Sequence, residues 1–276
     1  MRLARLLLFV LILAALGAWF TTRPQLSAAE RGRRLADQTG CFSCHGPAGT
    51  KGTPNVGRTD KTVPTFAGDL MIYADDANDV RAWILDGGTP KKRASHSWQE
   101  QRAAGALRMP AFRGTLSAAQ LSDLVAYVLA VSDSPEPEDS LALAGRDRAK
   151  ALGCTGCHGF GGRLAPRNPG AVKGYLPSWD GGDFAELVGD EQEFGQWVRH
   201  GVSERFHANP AAAFFLKRAR LHMPAFDKHL AAGDLGALWA YVRWLRSPAS
   251  RPPLEPEVAF SFSRKYLPQM ALVTHG

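Results

Sequence analysis

The chain has 276 residues and a formal net charge of +7; 45% of its residues are hydrophobic and 21% charged, with 28 glycines and 18 prolines. That length holds roughly two domains of about 100 to 200 residues, and the composition excludes a disordered or collagenous chain. Charge excludes a nucleic-acid binder: residues 28–133 carry 13 basic and 11 acidic side chains, residues 134–247 carry 14 and 13, and no basic stripe with interleaved aromatics occurs.

In chain order, Arg2 and Arg5 come first, followed by an apolar run from Leu6 to Phe20. Leu3 to Thr22 is 20 residues, a length that spans the hydrocarbon of a bilayer at about 1.5 Å per residue, with Trp19 placed as an interface residue. A charged start before a short apolar core is also the form of a secretory signal, with Ala15-Leu16-Gly17 or Ser27-Ala28-Ala29 as small residues for cleavage. Residues 1–27 are read as a retained membrane anchor, with a cleaved signal as the alternative. On either reading Arg2 and Arg5 hold the N-terminus in the cytoplasm and the remainder lies on the periplasmic side.

The remainder is written twice. Gly32, Gly40, Cys41, Cys44 and His45 recur as Gly145, Gly153, Cys154, Cys157 and His158 at an offset of 113, as do Asn55, Gly57 and Pro64 at Asn168, Gly170 and Pro177. One residue is inserted near Asp180-Gly181-Gly182, and the offset becomes 114: Trp83 pairs with Trp197, Gly87 with Gly201, Met109-Pro110-Ala111-Phe112 with Met223-Pro224-Ala225-Phe226, and Tyr127 with Tyr241. A period above 100 is a duplicated domain, not a solenoid repeat. The pattern in each copy is helical: a first helix over about Ala28 to Gln38 or Leu141 to Ala151, a middle helix carrying Trp83 or Trp197, and a last helix. The last helix of the first copy starts at Ser117, whose hydroxyl caps it with Gln120 three residues on, and its counterpart presents Leu235, Leu238, Tyr241 and Val242. Long Gly/Pro-rich loops are expected elsewhere, and no alternating strand pattern occurs. The fold is expected to be all-α, with residues 28–133 as one domain, 134–247 as an acidic linker and second domain, and 248–276 as an extended tail.

Two thiols three positions apart at a helix end can add to the two vinyl groups of one haem, and the next residue, a histidine, can bind its iron; Cys-x-x-Cys-His is thus a haem c attachment spacing. A thioredoxin-like pair would need a βαβ setting and a zinc site a further ligand pair. All four cysteines, Cys41, Cys44, Cys154 and Cys157, are then consumed as thioethers. His45 and His158 supply one iron ligand each, and Met109 and Met223 the sixth, since they alone among Met71, Met109, Met223 and Met270 are related by the repeat. His96, His200, His207, His222 and His229 are unmatched rivals, with His222 the nearest to a methionine.

On these motifs the sequence from Ala28 to about Arg246 resembles the class I cytochromes c, in the tandem dihaem form with a membrane anchor. The resemblance implies two class I domains, each a few helices wrapped round a covalent haem c, with Gly32 and Gly145 letting the first helix cross the last near Tyr127 and Tyr241. It further implies that a loop proline carbonyl orients the haem histidine, a role that Pro54 fits in the first copy, while the second copy has Arg167 and Pro166 there. The leading expectation is an electron carrier and no enzyme, serving redox protein partners such as a membrane dehydrogenase, a quinol-oxidising complex or a terminal oxidase, or acting as a haem subunit of one. The rival is a dihaem enzyme, a peroxidase or a thiosulfate-oxidising cytochrome, which would need an open iron. Lys91-Lys92-Arg93 and Lys217-Arg218 would suit an acidic partner.

Overall fold

The computed structural model describes residues 2–68 and 70–251, apart from the side chains at 2–4, 18, 20, 21 and 71. Its first helix is α1 (Arg2–Thr22). The first half then contains α2 (Ala28–Gln38), α3 (Phe42–His45), α4 (Leu70–Tyr73), α5 (Ala77–Asp86), α6 (Pro90–Ala94), α7 (His96–Ala104) and α8 (Ala118–Val131). The second contains α9 (Ser140–Ala151), α10 (Cys154–His158), α11 (Gly182–Leu187), α12 (Glu191–His200), α13 (Glu204–Ala208), α14 (Pro210–Arg218) and α15 (Asp234–Leu245). Among the described residues there is no strand, only the isolated bridges Pro54 to Thr62 and Arg167 to Tyr175. The fold is all-α, as the sequence pattern implies.

Along α1 the side chains from Leu6 to Leu13 are 48–66% exposed. Over the described residues, which leave out the α1 side chains at 2–4, 18, 20 and 21, no helix is long and apolar enough to cross a membrane.

Each half is organised by one helix crossing. The helix α8 begins with the capping box read from Ser117 and Gln120: Gln120 N donates to Ser117 Oγ at 3.2 Å and Ser117 N to Gln120 Oε1 at 2.9 Å. It packs on α2 so closely that a Cβ added to Gly32 would lie 1.9 Å from the Asp123 carbonyl oxygen and 2.9 Å from Tyr127 Cβ. In the second half α15 crosses α9 in the same way, with Gly145 facing the Ala237 carbonyl at 1.9 Å and Tyr241 Cβ at 2.9 Å. Only a residue without a Cβ permits either approach. Tyr127 and Tyr241 are buried beneath the crossings, and their hydroxyls donate to the Ala48 and Gly161 carbonyls at 2.9 and 3.1 Å.

Two buried clusters form. One gathers Ile84, Leu121, Leu124, Val125 and Val128; the other gathers Trp179, Phe194, Val198, Leu238 and Leu245. Leu164 and Phe160 of the second half belong to the first cluster, so the two halves share packing.

Two expectations need correction. The stretch between Trp83 and Met109 is not loop but carries α6 and α7, and that between Trp197 and Met223 carries α13 and α14. Local caps start three of these four helices, α6, α7 and α14: Thr89 Oγ1 accepts from Lys92 N with Pro90 in the first turn, Ser95 Oγ accepts from Trp98 N, and Asn209 Oδ1 accepts from Ala211 N and Ala212 N. The tail does not begin extended at residue 248 either. Pro248–Ser250 is a 3₁₀ turn that folds back on α15, with Ser250 1% exposed and its hydroxyl donating to the Leu245 carbonyl at 2.7 Å. The rest of the expected tail, 252–276, lies outside the described residues.

Candidate haem site

The helical turn at α3 sets Cys41 and Cys44 three positions apart, where side chains share a face, and His45 N closes the turn on the Cys41 carbonyl at 3.0 Å. Both sulfurs line an apolar crevice together with His45, Phe66, Met109 and Phe112. The crevice opens to solvent and is lined mainly by apolar side chains with a few convergent donor atoms, the character of a cofactor site. All four cysteines are free of disulfides, and burial pushes the Cys41 and Cys154 thiols up.

The two histidines are oriented identically. His45 Nδ1 lies 2.8 Å from the Pro64 carbonyl oxygen and His158 Nδ1 3.1 Å from that of Pro177. A carbonyl only accepts, so each Nδ1 carries the proton and each Nε2 keeps a lone pair for a metal. Burial lowers both imidazoles below their usual value, against the opposing pull of the proline carbonyl. The orienting prolines are therefore Pro64 and Pro177, not Pro54. Pro54 is engaged with Thr62 in a short antiparallel pairing, in which Val63 N donates to the Thr53 carbonyl at 2.8 Å. Pro64 follows directly on that pairing. Arg167 and Tyr175 pair in the same way, so the second half has no missing proline. Phe66 lies 4.6 Å from the His45 ring and Trp179 5.1 Å from the His158 ring, each edge-on to the half's central tyrosine.

The methionine segments are pinned on both sides. Asn55 Nδ2 donates to the Leu107 carbonyl at 3.0 Å and its Oδ1 accepts from Leu107 N at 2.8 Å; Asn168 makes the same pair of bonds with Leu221, both at 2.9 Å. Beyond the methionine, Phe112 N donates to the Ile84 carbonyl at 3.1 Å and Phe226 N to the Val198 carbonyl at 3.0 Å. Asn55 and Asn168 recur in the sequence with no role that the sequence itself assigns. Each ties down the residue two before Met109 or Met223.

Met223 is half-buried and packs with Cys154 and Phe226 against the second cluster. The rivals are elsewhere: His96, His200, His207, His222 and His229 are exposed, and His96 reaches Glu100 at 3.4 Å. Met270 and the Met71 side chain lie outside the described residues. The donor set in the first crevice, two thiols, an imidazole with free Nε2 and a thioether, fits a haem that Cys41 and Cys44 would attach and whose iron His45 and Met109 would hold.

Residues 29–132 match the family model for cytochrome c. Among solved structures, a chain of the Kuenenia stuttgartiensis reducing HAO-like protein complex Kustc0457/Kustc0458 is similar at 18% identity over 79% of this chain and 96% of that chain, with a TM-score of 0.25. No curated protein matches the chain. The segment 29–132 is a cytochrome c domain, and covalently bound haem c and a haem electron-transfer role come with that family.

Proposed function

We propose, starting from a first half that is a cytochrome c domain, that residues 134–247 are a second one and that the chain is a dihaem electron carrier without enzymatic activity. The observation that carries this reading is the recurrence of the whole apparatus. Cys41, Cys44, His45, Pro64, Asn55 and Met109 have counterparts in Cys154, Cys157, His158, Pro177, Asn168 and Met223, and the hydrogen bonds of the two sets match. When bound, each haem supplies reversible one-electron iron chemistry, with a His/Met ligand pair that raises its potential. The chain's own groups hold the site fixed: Pro64 and Pro177 orient the imidazoles, and Asn55 and Asn168 hold the thioether segments. A dihaem peroxidase or thiosulfate-oxidising cytochrome needs one iron open, and pinned methionines in both halves argue against that.

The residue pattern of α1 supports a retained anchor on the periplasmic side of the cytoplasmic membrane. Redox proteins are the proposed partners: a membrane dehydrogenase, a quinol-oxidising complex or a terminal oxidase, of which this chain could be a haem subunit. The helices α6, α7, α13 and α14, with Lys91, Lys92, Lys217 and Arg218, offer surfaces for docking. The test of the dihaem reading is the intact mass of the purified protein after acid-acetone extraction. Two haems per chain are expected to stay attached, and Cys41→Ala with Cys44→Ala is expected to remove one of them. Loss of the colour into the organic phase would refute it.

A further inference from the structure

The second half departs from the first at the insertion Asp180-Gly181-Gly182, and the chain leaving α1 lies on that departure. Gln25 N donates to both Asp183 carboxylate oxygens at 3.0 Å, Gln25 Nε2 donates to Glu186 Oε1 at 3.0 Å, and Gly182 N donates to the Gln25 carbonyl at 3.1 Å. Lys173 neutralises the two acids of this seat, at 2.7 Å from Asp183 and 2.6 Å from Glu186. A Cβ on Gly182 would fall 2.3 Å from Gln25 Oε1 and 2.8 Å from Gln25 Cβ. Gly182 carries no positive φ, so what it provides is room. The first half has no such seat: Asp60 stands at the position of Lys173, and Ile72 at that of Glu186.

Further along, Ser27 Oγ donates to the Arg163 carbonyl at 2.5 Å, Glu30 Oε2 accepts from Ala165 N at 3.4 Å, and Arg34 covers the Tyr175 ring at 4.7 Å. The same segment is held from the first half, where Arg31 donates to the Leu26 carbonyl at 2.7 Å and pairs with Asp123 at 2.7 Å. Ser27, Ala29 and Glu30 are 3%, 1% and 0% exposed.

We infer that residues 24–30 are a strap, and that the insertion with Asp183 and Glu186 is its docking surface, so that both halves are fixed to the base of the N-terminal helix instead of swinging on a tether. This rests on the anchored reading above. Gln25 is three residues beyond the end of α1, so its seat on the second half lies within roughly 11 Å of the helix end at about 3.6 Å per residue. A carrier held so close meets a partner lying in the plane of the membrane, in one orientation. A cut after Ala29 would remove the serine that caps α2 and every strap bond made by Gln25 and Ser27.

Hydrogen exchange on the full-length holoprotein in detergent tests the strap itself. The amides of Gln25 and Gly182 are expected to be protected, and Gly182→Ala is expected to speed exchange at least tenfold in both the 23–27 and 181–187 segments while the haem spectrum stays unchanged. Should that variant lose its spectrum, Asp183→Ala, which removes both acceptors of the Gln25 amide, is read in its place, with the same expected acceleration at 23–27. Free-chain exchange at 23–27 in the unaltered protein, or acceleration confined to the mutated segment, overturns the proposal. Low-spin haem signals from oriented membranes test the consequence: angle-dependent in the unaltered protein, angle-independent in Gly182→Ala. Protein absent from the membrane fraction would refute the anchor alone, since the exchange experiment judges the strap without it.

Discussion

Replacing Gly32 by alanine puts a methyl group into the tightest contact of the first half. The added Cβ would sit 1.9 Å from the Asp123 carbonyl oxygen, whereas ordinary contact starts at 3.4 Å. The obstacle is backbone of α8, which cannot rotate aside, so α2 and α8 must part by about 1.5 Å, the difference of those two distances. A radial gap of even 0.5–1 Å forfeits about a quarter to a half of the dispersion well for atoms across it, and the contact includes Tyr127, which is fully buried. Overpacking costs about 1–3 kcal/mol when side chains can adjust; with backbone as the obstacle the upper figure, about 3 kcal/mol, is the expected cost. For a domain of about 100 residues each kcal/mol lowers Tm by roughly 4 °C, so calorimetry of the holoprotein should show the first-half transition falling by about 12 °C. Gly114→Ala is the control: its Cβ would meet nothing within 4 Å, and its φ of +81° leaves only a left-handed strain of about 1 kcal/mol. A Gly32→Ala shift no larger than that of Gly114→Ala would refute the reasoning.

Three other outcomes follow from the same geometry. Asn168→Ala removes both hydrogen bonds to Leu221, at about 0.5–1.5 kcal/mol each, and should weaken the methionine-to-iron absorption band of the second haem while the first keeps its own. Burial pushes the Tyr127 and Tyr241 phenols up. Their folded values thus exceed the unfolded value near 10, so the stability they contribute is complete below about pH 10 and is lost as pH rises through the folded values. Ultraviolet titration should find these two of the five tyrosines silent until the fold opens. His222→Ala should leave the spectrum of both haems untouched, because His222 is exposed.

Features fixed by local chemistry were legible in the sequence. The capping box at Ser117 and the doubled Cys-x-x-Cys-His each announce themselves within a few residues, whereas the close crossing at Gly32 and Gly145 is implied by the family resemblance that those motifs carry. The orienting proline is not legible locally, because the loop from Thr53 to Phe66 has no periodic pattern to fix its register and Pro54 is nearer to His45 in sequence. The repeat did hold the answer, since Pro64 recurs as Pro177 while Pro54 has no counterpart. The helices α6, α7 and α13 were hidden in polar text, and α14 in a run of nine residues too short to show a period, although Thr89-Pro90 and Asn209-Pro210 are start signals. The strap at Gln25 depends on partners 158 and 161 residues away, a separation at which no local pattern carries information; the inserted residue near Gly181 was the one trace of it.

The account stands or falls on whether both irons are closed by sulfur, which is what divides a carrier from an enzyme. Carbon monoxide binding to the fully reduced protein measures this directly. Neither haem should take up the ligand in the unaltered protein, Met109→Ala should open the first alone, and Met223→Ala the second alone. Stoichiometric binding at one haem of the unaltered protein would contradict the account.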